Sequence, residues 1–404
     1  MPAASRVRPV LEVGLDFCAF LFLPILVLAS RGAAPLLAVA GVCALGLLIP
    51  IDPASWRRVR WLALVFGALV VWGLLSSLWA IDPWRSLITA LRLAAMFAAG
   101  LALILAAEEI AAPNRLVRCL IAGFAVALAL SVAQVATGGA LTTAFQERQF
   151  TDAVLNHAED GFGFLILPVG AALMLQRQRV LAVALVAAAA AVICVLVGET
   201  ARMAFLLGVV AAVLFYGWGQ ALTRAGAALS VMLIVGAPLL FPRLVRIDAV
   251  ADAALQMNKS SLWHRLQIWS FVGDRIAEKP LFGWGLDSAR AIPGGNQRIP
   301  YGYLGQTMLP LHPHNAPLQL WLELGLPGAL LAGVLIAGVW LALGKVPWPR
   351  LYAAAAGGSL VTALVVALGS YGAWQEWFIS SEFLTLFLII VMARVAHHPP
   401  PETR

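Results

Sequence analysis

The chain alternates long apolar runs with short polar connections from end to end. A helix needs roughly 20 apolar residues to cross a hydrocarbon core of about 30 Å. Runs of that kind lie near residues 12–30, 33–50, 61–80, 87–106, 116–136 and 161–176, and again near 180–198, 203–219, 225–241, 325–344, 351–370 and 377–394. They predict an all-α, polytopic membrane protein with about twelve transmembrane helices. The polar stretches between the runs are too short for a separate soluble domain, so residues 1–404 read as one membrane domain. Arg6 and Arg8 before the first run have the look of a secretory signal. The equally apolar runs that follow argue instead for a first spanning helix.

Orientation comes from the basic residues. Alternate connections carry Arg6 and Arg8; Arg57, Arg58 and Arg60; Arg115 and Arg118; Arg177 and Arg179; Arg224; Lys345 and Arg350; and finally Arg394 and Arg404. The short connections between them hold only Arg31, Arg85, Arg148 and Arg202. Cytoplasmic loops are the ones enriched in Lys and Arg, so this alternation places both termini in the cytoplasm. The connection 242–313 must then lie outside. It carries eight basic residues against five acids, but long loops escape the charge rule. Loops of that length are usually functional. A smaller outside loop, residues 137–160, shares its face, and the two together can build one site.

Composition agrees. Of the residues, 62% are hydrophobic and 12% charged, against about 25% charged in soluble domains, so lipid is the expected solvent. A net charge of +7 suggests nucleic acid at first sight, but the basic residues are dispersed as topology signals rather than gathered in a patch. Nucleic acid is therefore not an expected partner. Cys18, Cys43, Cys119 and Cys194 have no metal-ligand spacing and read as buried apolar residues. There is no D-x-D, H-E-x-x-H, phosphate-binding loop, dinucleotide fingerprint or nucleophile elbow, so neither a metal nor a cofactor is expected. The pairs Glu108-Glu109 and Glu159-Asp160 read as boundary charges.

Three features stand out from the pattern. Residues 261–278 predict a helix opened by a serine cap and ended by Pro280, with an apolar stripe at Leu262, Leu266, Trp269, Val272 and Ile276. Arg265 falls inside that stripe, while Gln267, Asp274 and Glu278 face away. A guanidinium there is either an anion ligand or an arginine snorkelling to the headgroups. Arg202 sits in a short outside turn at the hydrocarbon edge, where an arginine is costly unless paired. Glu199 or a lipid phosphate would satisfy it in the plainer reading.

The third feature is His312-Pro313-His314-Asn315-Ala316-Pro317. Asn315 is a good helix cap and Pro317 suits a first turn, so a helix should begin here. A histidine beside a helix N-terminus stays neutral, and a neutral imidazole can accept a proton as a general base. The alternative is an ordinary histidine in an amphipathic loop. The new helix then meets Gly325-Leu326-Pro327-Gly328, which predicts a short interfacial helix bent into a spanning one.

His314-Asn315, nine residues, then Gly325-x-x-Gly328 resembles the signature of the O-antigen ligase family, bacterial membrane glycosyltransferases related to O-antigen polymerases. Arg265-Leu-Gln-Ile-Trp269, followed by Lys279-Pro280-Leu-Phe-Gly283-Trp-Gly285, is similar to that family's loop motif. Thr200-Ala201-Arg202 resembles its arginine before a spanning helix, with Ala201 where many relatives carry serine. Trp79-Ala-Ile-Asp82-Pro83 is similar to its second outside turn.

The resemblance implies a GT-C-like fold in which residues 242–313 form a large, partly helical periplasmic loop carrying part of the active site. It implies transfer of O-antigen polysaccharide from undecaprenyl diphosphate to a sugar hydroxyl of lipid A–core oligosaccharide, by an inverting, metal-independent route. The location implied is the periplasmic face of the bacterial inner membrane. His314 would then be the base, with Arg202 and Arg265 stabilising the diphosphate where other enzymes use a metal. Arg85, Arg148, His312 and Asn315 would help bind substrate.

The nearest rivals are an O-antigen polymerase and a protein O-oligosaccharyltransferase using the same carrier. From another class, a secondary transporter would use Glu12, Asp16 and Arg92. Transporters set such groups near the bilayer midplane, whereas the arginines and histidines above lie at the outer interface.

Overall fold

The computed structural model describes residues 2–49, 52–146, 152–196, 198–244, 260–299 and 306–397. Each of the twelve apolar runs falls on helix. The first half of the chain gives α1 Pro2–Leu28, α2 Ala33–Leu48, α3 Pro53–Ser76, α4 Pro83–Ala106 and α5 Pro113–Ala136, then a short α6 Ala140–Gln146. Next come α7 Asn156–Leu175, α8 Arg179–Val195, α9 Glu199–Trp218, α10 Gln220–Val235 and α11 Ala237–Leu244. The long loop contributes α12 Ser260–Glu278, and the chain closes with α13 Ala316–Leu343, α14 Arg350–Gly369 and α15 Glu376–His397.

Among the described residues, ten helices are long and apolar enough to cross a membrane. The other two runs depart from a plain span. α8 has 17 residues, and the run near 225–241 is broken into α10 and α11, bent by 71°. Apolar side chains face outward along the bundle, among them Val42 (68% exposed), Leu64 (71%) and Val180 (85%). Large apolar exposure of this kind marks a surface that meets something other than water. The chain is a multi-pass membrane protein.

The two ends of the bundle differ. At one end Arg8 hydrogen-bonds the carbonyl of Glu109, Arg394 Nη1 donates to Ala107 O at 2.8 Å, and Arg58 pairs with Glu108 at 2.8 Å. The start of α1 and the end of α15 therefore meet the same turn at this end. Glu12 and Asp16, the transporter-like acids, are buried here against Arg115, at 3.6 and 2.5 Å. They form an ion-pair cluster with the first turn of α5.

The opposite end gathers the 77–82 turn, the 281–289 segment, the 312–315 turn and the 370–375 turn. α12 is not a free appendage at this end. Leu266, Ile268, Trp269, Val272 and Ile276 are buried against Phe241, Ile292, Leu309, Leu318 and Leu322. Burying each large side chain contributes about 1.5–3 kcal/mol. That stripe is the one the sequence predicted, and it docks the loop helix onto α11 and the start of α13.

Candidate active site

The site is built around an interrupted helix. Asn315 caps α13 as predicted, its Oδ1 accepting from Leu318 N at 2.9 Å, with proline in the first turn. The helix breaks at Gly325, which adopts φ 64° and ψ −158°. A broken helix exposes carbonyls that the membrane cannot hydrate, so other protein groups must satisfy them. Trp284 N bonds Leu322 O at 2.9 Å, Gly285 N bonds Glu323 O at 2.9 Å, and Trp72 Nε1 bonds Leu324 O at 2.8 Å. Leu326 N in turn donates to Pro280 O at 3.0 Å.

The two glycine motifs are thus one junction. A Cβ on Gly283 would lie 2.4 Å from the backbone of Glu323, and one on Gly325 would lie 2.4 Å from Leu281 O. Both glycines also have positive φ, so geometry and space exclude a side chain twice over.

Beneath this junction Glu323 is fully buried. Its carboxylate accepts from Asp287 N (2.5 Å), Ala289 N (3.2 Å), Gln319 Nε2 (3.0 Å) and Trp374 Nε1 (2.5 Å). One side chain therefore ties the 287–289 turn and the 370–375 turn to α13. Sequence reasoning passed over Glu323, because a lone acid in an apolar run carries no motif of its own.

His314 lies in the left-handed region at φ 54°, a strained conformation for a residue with a side chain. The strain turns its ring onto the C-terminal end of α14, where Nδ1 meets Ser370 O at 2.6 Å. Asn315 Nδ2 donates to Leu368 O of the same helix end at 3.0 Å. The last carbonyls of a helix have no partner within it. His314 and Asn315 supply two. A carbonyl only accepts, so Nδ1 carries the proton and Nε2 of the neutral ring keeps its lone pair.

Burial pushes the His314 pKa down to about 4, helped by Arg265 and His264 and opposed by the Ser370 hydrogen bond. His312 is beside it, ring centroids 4.3 Å apart, with its Nδ1 accepting from His314 N at 3.2 Å. Burial lowers its pKa to about 3, with His314, Arg290 and Arg265 adding to the effect. Both rings are neutral near pH 7.

Arg265 projects from α12 and donates through Nη1 to Thr200 Oγ1 at 3.2 Å. Burial lowers its pKa, and Tyr371 and Glu199 push the other way; it remains a cation. Arg202 lies in the first turn of α9 rather than in the preceding connection, where the sequence placed it. Its Nε is buried and has no hydrogen-bond partner among the described residues. Thr200 and Arg202 share that first turn, so Arg265 is tied to the helix turn that carries Arg202. The positive end of the helix dipole adds to them.

Arg85 stands in a neighbouring group. It pairs with Asp82 at 3.5 Å and Asp287 at 3.7 Å, with its side chain 44% exposed. The amide of Asn315 is already committed to its cap and to α14. Arg148 lies outside the described residues. The pair Glu159-Asp160, read from sequence as boundary charges, is buried, at 0% and 2% exposure.

The 370–375 turn closes the site and was not visible in any motif. Besides Ser370 O, it sets Gly372 against His312, Ala373 N on Gln319 Oε1 at 2.8 Å and the Gln375 amide 2.9 Å from His312 Nε2. The cluster of Tyr371, Gly372 and Trp374 between two apolar runs was the one available signal.

Residues 163–333 match the family model described as O-antigen ligase. The chain is 32% identical over 170 residues to a Rickettsia conorii protein described as a putative polysaccharide ligase, covering 41% of each. Proteins of the same description from Rickettsia felis and Rickettsia bellii are 32% identical over 170 residues and 33% identical over 167. The chain thus spans about two fifths of the length of the curated relatives it matches. The resemblance read from the sequence holds over this segment, which contains Arg202, Arg265, His312, His314, Asn315 and Glu323.

Proposed function

We propose that this chain, with its O-antigen ligase segment at residues 163–333, is a membrane glycosyltransferase that moves a polysaccharide from a polyprenyl-diphosphate carrier onto a lipid acceptor. The observation that carries the proposal is a convergence at one end of the bundle. A histidine with one unprotonated ring nitrogen lies within reach of the Arg265 charge, and Arg265 is tied through Thr200 to the helix turn that holds Arg202.

The chemistry follows from those groups. The acceptor hydroxyl attacks the anomeric carbon, its proton passing to Nε2 of His314. The new C–O bond forms as the bond to the diphosphate oxygen breaks, and the leaving diphosphate keeps the electron pair. A single displacement of this kind inverts the anomeric centre. Arg202 and Arg265 balance the charge that grows on the leaving oxygen, and guanidinium forks suit phosphate oxygens. When protonated, His314 points Nδ1–H at the C-terminus of α14, where the helix dipole favours a cation.

In its full form the reading has undecaprenyl diphosphate as carrier and lipid A–core oligosaccharide as acceptor. The site faces the periplasm from the bacterial inner membrane, both termini are cytoplasmic, and residues 242–313 are the periplasmic loop. Arg85, Arg148, His312 and Asn315 assist binding or alignment. The test is a reconstituted reaction of purified protein, carrier-linked glycan and lipid A–core, with products resolved by gel. Transfer onto lipid A–core that persists in excess EDTA is the expected result. Growth of carrier-linked chains without lipid A–core would make the protein a polymerase. Turnover lost to EDTA and restored by magnesium or manganese would remove the arginines from their assigned role.

A further inference from the structure

We propose that Asp160 and Tyr371 are positioning residues for the general base, acting on His314 through the carbonyl of Ser370. The inference rests on the reading of His314 as base. Both residues lie outside residues 163–333, the segment that matches the family model.

The geometry is a short chain of contacts. α14 ends at Gly369, and Ser370 is its C-cap, its own N–H held by Val366 O. The Ser370 carbonyl must stay aimed at His314 Nδ1 for the 2.6 Å bond to exist. Its aim is set by Tyr371, since the carbonyl belongs to the peptide unit that joins the two residues. Tyr371 is anchored at its far end, where its hydroxyl donates to Asp160 Oδ2 at 2.6 Å. Burial, and the Asp160 carboxyl beside it, push the phenol well above its ordinary pKa, so it keeps the proton it donates.

The ring between these ends is fixed as well. It stacks on His157 (5.6 Å between centroids) and meets Trp377 edge-on at 4.6 Å. Asp160 is held in the first turns of α7, at 2% exposure, so the anchor point does not move with solvent.

The consequence for catalysis is the tautomer. With Ser370 O in place, Nδ1 holds the proton and Nε2 is free for the acceptor hydroxyl. Let the 370–371 peptide rotate, and His314 can carry its proton on either nitrogen and turn away from the substrate.

Four measurements test this in the intact protein. Tyr371→Phe keeps the ring packing and removes only the hydroxyl. Its single-turnover rate should fall roughly 10- to 100-fold, as expected for a misaligned catalytic group, with carrier affinity unchanged. Added to His314→Ala, the same change should cost nothing further, because its effect runs through His314. Nitrogen-15 spectra of histidine-labelled protein should show His314 as the Nδ1–H tautomer in the wild type and as a mixture in Tyr371→Phe. Asp160→Asn, which keeps an oxygen acceptor, should lose less activity than Asp160→Ala.

A Tyr371→Phe protein with normal rate and tautomer would overturn the inference, as would losses that add in the double variant. His314→Ala at wild-type turnover is a different failure. It would sink the base assignment itself.

Discussion

At the scale of single residues, the identity of a neighbour decides what His314 can do. A hydroxyl neighbour would have left either ring nitrogen free, but the Ser370 carbonyl permits one tautomer only. General base catalysis is worth roughly 10²–10⁴-fold, so His314→Ala should cut the single-turnover rate by that range while equilibrium binding of the carrier persists. A parallel loss of binding would give the residue another role.

The pH profile carries a second test. The base works only when unprotonated, so activity is lost as pH falls through its pKa. In the free protein that pKa is about 4, held down by burial, Arg265 and His264. A bound diphosphate offsets the Arg265 charge and adds negative charge nearby, which favours the imidazolium and raises the pKa. The acid limb of kcat should therefore lie at higher pH than the limb of kcat/KM. Limbs that coincide would mean the carrier does not sit beside His314.

Arg265 adds a third. Arg265→Lys keeps the charge but loses the fork that reaches Thr200 and a phosphate together, so most of the loss seen in Arg265→Ala should remain. Full recovery in the lysine variant would show that charge alone suffices.

At the scale of elements, the broken helix α13 and the 280–285 segment are one unit. Neither glycine motif explains itself in isolation. Gly283 is needed because Glu323 passes over it, and Gly325 because Leu281 does. Gly283→Ala must accept a left-handed backbone with a side chain, at about 1–3 kcal/mol, and a backbone collision besides. Its unfolding temperature in detergent should fall clearly, and activity with it. An alanine variant of wild-type stability would show that the two segments can separate. The α12 stripe was readable because its period is local. The Glu323 clamp was not, since its donors come from residues 287, 289, 319 and 374.

At the scale of the whole molecule, Arg8, Arg58, Arg115 and Arg394 lie at the end of the bundle opposite the candidate site, and the positive-inside rule predicts that their end is the cytoplasmic one. In a background with the four native cysteines replaced by alanine, Asn296→Cys and Thr137→Cys should react with an impermeant thiol reagent added to intact cells, and Arg58→Cys should not. Labelling at position 58 would invert the topology and move the site to the cytoplasm.

What the sequence determined by itself was everything carried by local periodicity and local charge. The spans, the amphipathic α12, the Asn315 cap, the break at Gly325 and the segregation of arginines all depend on residues within a few turns of one another. Even there, α8 fell short of a full span and the 225–241 run bent by 71°, which apolar periodicity alone does not encode. Only the tertiary structure joined His314 to Ser370, Asp160 to Tyr371, and Glu323 to its four donors. Those partners lie 56, 211 and up to 51 residues apart. Hydrogen bonds over such separations are set by how helices pack, and packing depends on the shape of the whole bundle rather than on any window of the chain.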